Sequence, residues 1–187
     1  MAHHIQAIIG SQQLLKVLEE KYTHAKVVKL ANGFAMVPML GDLHDEMGVD
    51  DAVEHDSRFM LLSSHVWKVL QDMSLMDPVA YIETEYFGGT GTQSAVAWKS
   101  GKVAYGPEVS EDIGPINKGL AILGIVRTET RDEFQTIGLQ WFRQMDEFYE
   151  FDSEVFQENY VERMFSRYPQ VPAVSSRRPW WKRMLGM

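Results

Sequence analysis

The chain has no cysteine in its 187 residues. That absence excludes disulfides, thiolate nucleophiles, iron–sulfur clusters and cysteine-ligated zinc, and it lends no support to an oxidising compartment. Long apolar runs are missing as well, since no uninterrupted stretch approaches the ~20 residues that a membrane-spanning helix needs. The opening residues, Met1-Ala2-His3-His4-Ile5-Gln6, carry neither the basic start nor the cleavage site of a secretory signal. The expectation is a cytoplasmic protein without a membrane span. Catalytic signatures are equally scarce: there is no Gly-x-Ser-x-Gly elbow, no Ser-x-x-Lys and no His-Glu-x-x-His. No internal repeat or low-complexity tract is visible.

Basic residues are outnumbered, 18 against 26 acidic ones, for a net charge of −8. The imbalance is uneven. The last nineteen residues hold Arg177, Arg178, Lys182 and Arg183 and no acid, so the preceding 168 carry −12. An acidic body repels a phosphate backbone, which argues against nucleic acid and favours encounter with a basic protein partner. The 45% hydrophobic content is that of a globular chain, and a domain of this size buries roughly 70% of its unfolded surface without a metal or disulfide staple. One domain over residues 1–168 and a basic, tryptophan-containing tail over 169–187 are expected.

Along the chain, His4 to Ile9 reads as a strand, and Ser11 as the cap of a helix in which Leu14, Leu15, Leu18 and Tyr22 share a face. Asn32-Gly33 between two apolar runs, Lys26–Ala31 and Phe34–Pro38, is a β-hairpin signal. Leu40 to His55 reads as acidic loop with short helical turns, Arg58 to Ser74 as a helix, and Val79–Phe87, Gln93–Lys99 and Lys102–Tyr105 as a three-strand meander. An acidic loop is expected over Gly106–Gly114, a helix after Pro115, a short helical turn from Asp132 and further helices over Leu139–Arg167. Together these predict an α+β fold: a mixed or antiparallel sheet with helices packed on it and a helical C-terminal part.

The segment richest in signal is Tyr86-Phe87-Gly88-Gly89-Thr90-Gly91-Thr92-Gln93. Its glycines sit between two strands, not between a strand and a helix, so a phosphate cradle is excluded. A wide hairpin or bulge, with glycine supplying positive φ, is one reading. The other is a binding surface of bare backbone N–H groups flanked by Thr90, Thr92 and Gln93. Glu83 and Glu85, two apart on one strand, share a face and could do acid–base work. They could also simply mark a solvated side, with Ala80, Ile82, Thr84 and Tyr86 on the other. The candidate binding residues are Glu83, Glu85, Phe87, Gly88, Gly89, Gly91 and Gln93.

The Tyr86–Gln93 motif, with Trp98, Pro115 to Asn117, and Asp132 to Leu139, resembles a family of small bacterial proteins without an assigned activity. The likeness would cover most of residues 1–140 and implies one shared fold. In general character the chain is similar to bacterial toxin-immunity proteins.

Two further features carry weaker chemistry. His44 and His55 lie in a loop with Asp42, Asp45, Glu46, Asp50 and Asp51, which lacks the glycine-centred calcium pattern and reads as solvated; no metal or cofactor site is expected. The tail residues Arg177, Arg178, Trp180, Trp181, Lys182 and Arg183 suit an anionic surface, a partner groove, or the acidic residues Asp146, Glu147, Glu150, Asp152 and Glu154 of this chain or a twin in a homodimer. The leading expectation is a non-enzymatic binding protein, in the manner of an immunity protein that occludes a basic toxin. The alternatives are an enzyme acting on a small polar substrate at the glycine-rich exit, with Glu83 or Glu85 as acid–base group, and an assembly protein that docks through its tail.

Overall fold

A computed structural model describes residues 3–48, 58–87, 90–148 and 160–167. Gly88, Gly89, Asp50, Asp51 and His55 lie outside the described residues, as do Glu150, Asp152, Glu154 and the tail residues Arg177, Arg178, Trp180, Trp181, Lys182 and Arg183.

The described chain runs β1 (His3–Ser11), α1 (Gln12–Lys21), β2 (Val28–Lys29), β3 (Phe34–Pro38), α2 (Gly41–Met47), α3 (Ser64–Met73), β4 (Val79–Phe87), β5 (Thr90–Lys99), β6 (Lys102–Ser110), α4 (Pro115–Ile122), α5 (Glu133–Thr136) and α6 (Tyr160–Arg167). The six strands form one sheet in the order β2-β3-β1-β4-β5-β6, and every strand pair is antiparallel. The fold is α+β.

Both faces of the sheet are covered, which explains why its central strands are buried almost continuously and do not alternate. Ile8, Val37, Tyr81, Val96 and Trp98 point to one face and pack beneath α1, α2 and α3. Ile5, Ala7, Ile9, Ala80, Ile82, Ala95 and Ala97 point to the other, under α4, the C-terminal turns that contribute Leu139, Phe142 and Phe148, and Val161 of α6. Local sequence starts the helices on each side. Ser11 Oγ accepts the Leu14 N–H at 3.3 Å, Ser63 Oγ accepts the Val66 N–H at 3.2 Å, and Pro115 occupies the first turn of α4, where its missing N–H costs nothing.

Four expectations are corrected. The helix expected over Arg58–Ser74 begins at Ser64, because the Met60 and Leu61 N–H groups donate instead to the Glu83 carboxylate on β4; Phe59 and Leu62 are still buried, but from a loop. Strand β6 does not stop at Tyr105 but runs to Ser110, since Gly106-Pro107 sits at a register shift between Ala95 and Ala97 of β5, a bulge and not a chain break. The hairpin at Asn32-Gly33 exists, with φ of 60° and 79° at the two residues, but its first strand is Val28–Lys29 alone and Ala31–Gly33 forms a 3₁₀ turn. The aromatic stretch from Leu139 holds two 3₁₀ turns, Leu139–Trp141 and Met145–Phe148, before α6.

Candidate functional site

The glycine-rich exit lies at one end of the sheet, where β4 runs into β5. Phe87 pairs with Thr90, leaving two residues between the strands. The connection is therefore tight, not the wide hairpin expected. Gly91 does not serve by positive φ either. It pairs with Tyr86, and a Cβ there would stand 1.9 Å from the Glu85 carbonyl oxygen and 2.6 Å from Tyr86 Cα. Glycine is required because the neighbouring backbone occupies the side-chain position.

Strand alternation separates the predicted residues. Glu83 and Glu85 share the face of Tyr81, while Gln93 points with Thr84 and Tyr86 to the opposite side, so these three do not converge on one pocket. Glu83 and Glu85 border a small cleft of about 80 Å³ with Gln6, Arg58 and Ser94. Glu85 is exposed. Glu83 is buried, which corrects the expectation of a solvated side for that residue. Its Oε2 accepts the Met60 N–H at 2.7 Å, and its Oε1 accepts the Leu61 N–H at 2.9 Å and the Tyr81 hydroxyl at 3.0 Å. Burial raises its pKa above the ordinary carboxylate range, and the hydrogen bonds from Leu61, Met60 and Tyr81 partly offset that rise. With both oxygens engaged by protein donors, Glu83 is an anchor that holds the 60–61 loop onto the sheet.

On the opposite face, the same end of the sheet carries a larger cavity of about 320 Å³. The sheet supplies His3, Thr84, Tyr86 and Gln93; α4 and the loop before it supply Asn117 and Ile113; the 132–140 segment supplies Asp132, Phe134, Gln135 and Gln140. Several walls are fixed by their own hydrogen bonds. His3 Nδ1 and Thr84 Oγ1 lie 2.7 Å apart, Asn117 Oδ1 accepts the Phe134 N–H at 3.0 Å, and Gln93 Oε1 accepts the Gly114 N–H at 3.3 Å. His3 is part of β1 opposite Tyr86. Burial lowers its pKa to about 4, and the Arg143 guanidinium adds to that effect.

No known protein family, curated protein or solved structure matches the chain.

The site therefore rests on its own geometry. Around the exit, both apolar and acidic side chains are exposed. Phe87 is 83% exposed, Ile113 75% and Met60 60%, and Glu85, Glu111 and Asp112 are exposed as well. The Tyr86 hydroxyl donates to the Glu111 carbonyl at 3.4 Å, which ties the 111–113 loop to the end of β4. Burial raises the Tyr86 pKa, with the Asp112 carboxylate as the second cause. Among the described residues no group of three or more His, Asp or Glu is placed to hold a metal ion, and no helix is long and apolar enough to cross a membrane. Of the residues at this end, Gln93, Phe87 and Gly91 were legible from the glycine motif. His3 and Gln140 were not, because only the sheet register and the folding-back of the C-terminal turns bring them there.

Proposed function

We propose that this protein is a non-enzymatic binding protein that captures a basic protein partner through the acidic, apolar tip formed by Glu85, Phe87, Glu111, Asp112 and Ile113. The observation that carries the proposal is the exposure of Phe87 and Ile113 among these carboxylates. Large apolar side chains this exposed at the end of β4 and in the loop after β6 suit the centre of an interface, and the nearby carboxylates suit a cationic partner. The −12 carried by residues 1–168 acts in the same direction over longer range, where complementary fields raise association rates by about 10- to 1,000-fold. Occlusion of a basic toxin, with the carboxylates covering the cationic groups that it uses on phosphate, is the form of capture that fits best. The acid–base alternative has less support, because both oxygens of Glu83 are engaged by structural donors and Glu85 is exposed.

The test is co-purification of the tagged protein from its native cells, compared with the triple variant Glu85→Lys, Glu111→Lys, Asp112→Lys. Wild type is expected to retain a basic protein in one-to-one ratio that the variant releases. Recovery of no stoichiometric protein, or of one that the variant holds equally well, would sink the proposal.

A further inference from the structure

The cavity of about 320 Å³ adjoins the tip and shares Ile113 with it. Its accessible polar groups are of two kinds. Asp132 is half-buried in the wall. Its Oδ1 accepts the Gln135 N–H at 2.8 Å, while Oδ2 has no partner among the described residues and is not closed off from solvent. Gln93 and Asn117 are arranged the other way round. Their oxygens are already held by the Gly114 and Phe134 N–H groups. Each therefore presents only its amide NH₂, again unpaired among the described residues and open. Phe134, Tyr86, His3 and Ile113 supply an aromatic and apolar wall, with the Phe134 and His3 ring centroids 5.4 Å apart. A second carboxylate, that of Asp112, lies close enough to Tyr86 to help raise its pKa.

We propose that this cavity seats an arginine side chain of the captured protein, with the guanidinium on the free oxygen of Asp132 and the stem along the Phe134 and Tyr86 rings; this rests on capture at the tip. Three observations select that occupant. An open carboxylate oxygen beside aromatic rings is complementary to a cation. A planar guanidinium both pairs with carboxylate and stacks on rings, which an ammonium does less well. The amide donors of Gln93 and Asn117 need acceptors, which a guanidinium lacks but the peptide carbonyls flanking an arginine supply. That combination favours a protein segment over a bare small cation. The volume of about 320 Å³ is some ten times the ~30 Å³ share of a water molecule, room for a long side chain and an adjoining peptide group. The cavity also continues the tip. A partner drawn in by Glu85, Glu111 and Asp112 meets, next to Ile113, a concave site where an anchor can be desolvated, and arginine is among the side chains enriched as such anchors.

The test is titration of the full chain with N-acetyl-arginine methylamide, followed through the Phe134 and Tyr86 ring resonances and the side-chain amide resonances of Gln93 and Asn117. The same measurement is made with the citrulline analogue, which keeps the shape without the charge, with the lysine analogue, and with free arginine, which lacks the flanking peptide groups. The blocked arginine is expected to shift all four residues and to bind at least about fivefold more tightly than the citrulline analogue, the worth of one partly buried charge pair. The lysine analogue and free arginine should bind more weakly than it does. Asp132→Asn should erase the preference for arginine over citrulline. Asn caps a helix as well as Asp, so this variant should stay folded. No shift of these residues at tens of millimolar, equal or tighter binding of any of the three comparison compounds, or an arginine preference that survives Asp132→Asn would each overturn the proposal. These titrations need no partner, so their outcome is separate from that of the co-purification. Where a partner is recovered, Asp132→Asn should weaken its capture by about tenfold or more, the loss of an interface anchor. A partner released by the triple lysine variant but held equally well by Asp132→Asn would sink the arginine site and leave capture at the tip standing.

Discussion

Lowering the pH should unfasten β1 from the cavity wall through His3. In the folded chain its pKa falls from 6.5 to about 4, burial being the main cause and Arg143 the next. Between those two values the unfolded chain binds a proton at this site and the folded chain does not. Stability contributed by His3 is therefore fully present above the unfolded value and is lost as pH falls through the window towards the folded one. At about 1.4 kcal/mol per pH unit the whole span is worth about 3 kcal/mol, an upper bound for a side chain that retains some solvent contact. Urea unfolding of the wild type and of His3→Phe at about pH 7 and about pH 4.5 isolates this term, because the titrating carboxylates are common to both proteins. Phe replaces a titrating ring with one that cannot charge and that retains the contact with Phe134. The stability difference between the two should move in favour of the variant by about 2 kcal/mol on acidification. Glu83 acts in the opposite sense, since a raised carboxylate pKa makes stability fall as pH rises from the ordinary value to the shifted one, and it cancels in the comparison. Two curves that run parallel across the window would refute the reasoning.

Other substitutions probe the anchor, the glycine and the tip. Glu83→Ala should cost about 2–4 kcal/mol in urea unfolding, since it strands the Tyr81 hydroxyl and the Met60 and Leu61 N–H groups, while Glu83→Gln should cost less. The Met60–Leu61 amides should lose hydrogen-exchange protection in the Ala variant before the β4 amides do. Gly91→Ala should destabilise the β4–β5 hairpin by about 2 kcal/mol or more, because its Cβ would meet backbone and not a movable side chain; Gly33→Ala, with open space around it, should cost less and only through its φ. Phe87→Ser should leave thermal stability unchanged but weaken capture of a protein partner by about 2 kcal/mol or more if Phe87 is an interface anchor, as a binding titration would show.

Much of the architecture was legible because local chemistry and tertiary structure agreed. Ser11 caps α1 and Leu14, Leu15 and Leu18 bury its face; Asn32 and Gly33 adopt the positive φ that their pairing implied; the β4–β5–β6 meander falls where the apolar runs lie. What was not legible depended on partners distant in sequence. The apolar spacing of Phe59 and Leu62 looked helical, yet Glu83 takes the backbone donors that a helix would need, and no local signal in 58–63 discloses this. The burial of Glu83 is not legible locally either, because the loop before α3, distant in sequence, covers that side of β4. The acidic loop expected from Gly106 is strand as far as Ser110, because Gly106-Pro107 forms a bulge where the pairing with β5 shifts register. At the candidate site, the glycine motif marks the end of the sheet where β4 runs into β5. The face that holds the cavity became evident only when His3 from β1, Asn117 from α4 and Gln140 from the C-terminal turns were brought beside Thr84 and Gln93.

The most direct test of capture at the acidic tip is the association rate of the co-purified partner, measured against salt concentration for wild type and for the variant carrying lysine at Glu85, Glu111 and Asp112. Screening acts over about 10 Å at 0.1 M salt. The wild-type rate is expected to be fast at low salt and to fall steeply as salt rises, and the variant to be at least about tenfold slower at low salt with a flat or inverted dependence. Equal rates for the two proteins, or a wild-type rate indifferent to salt, would contradict it.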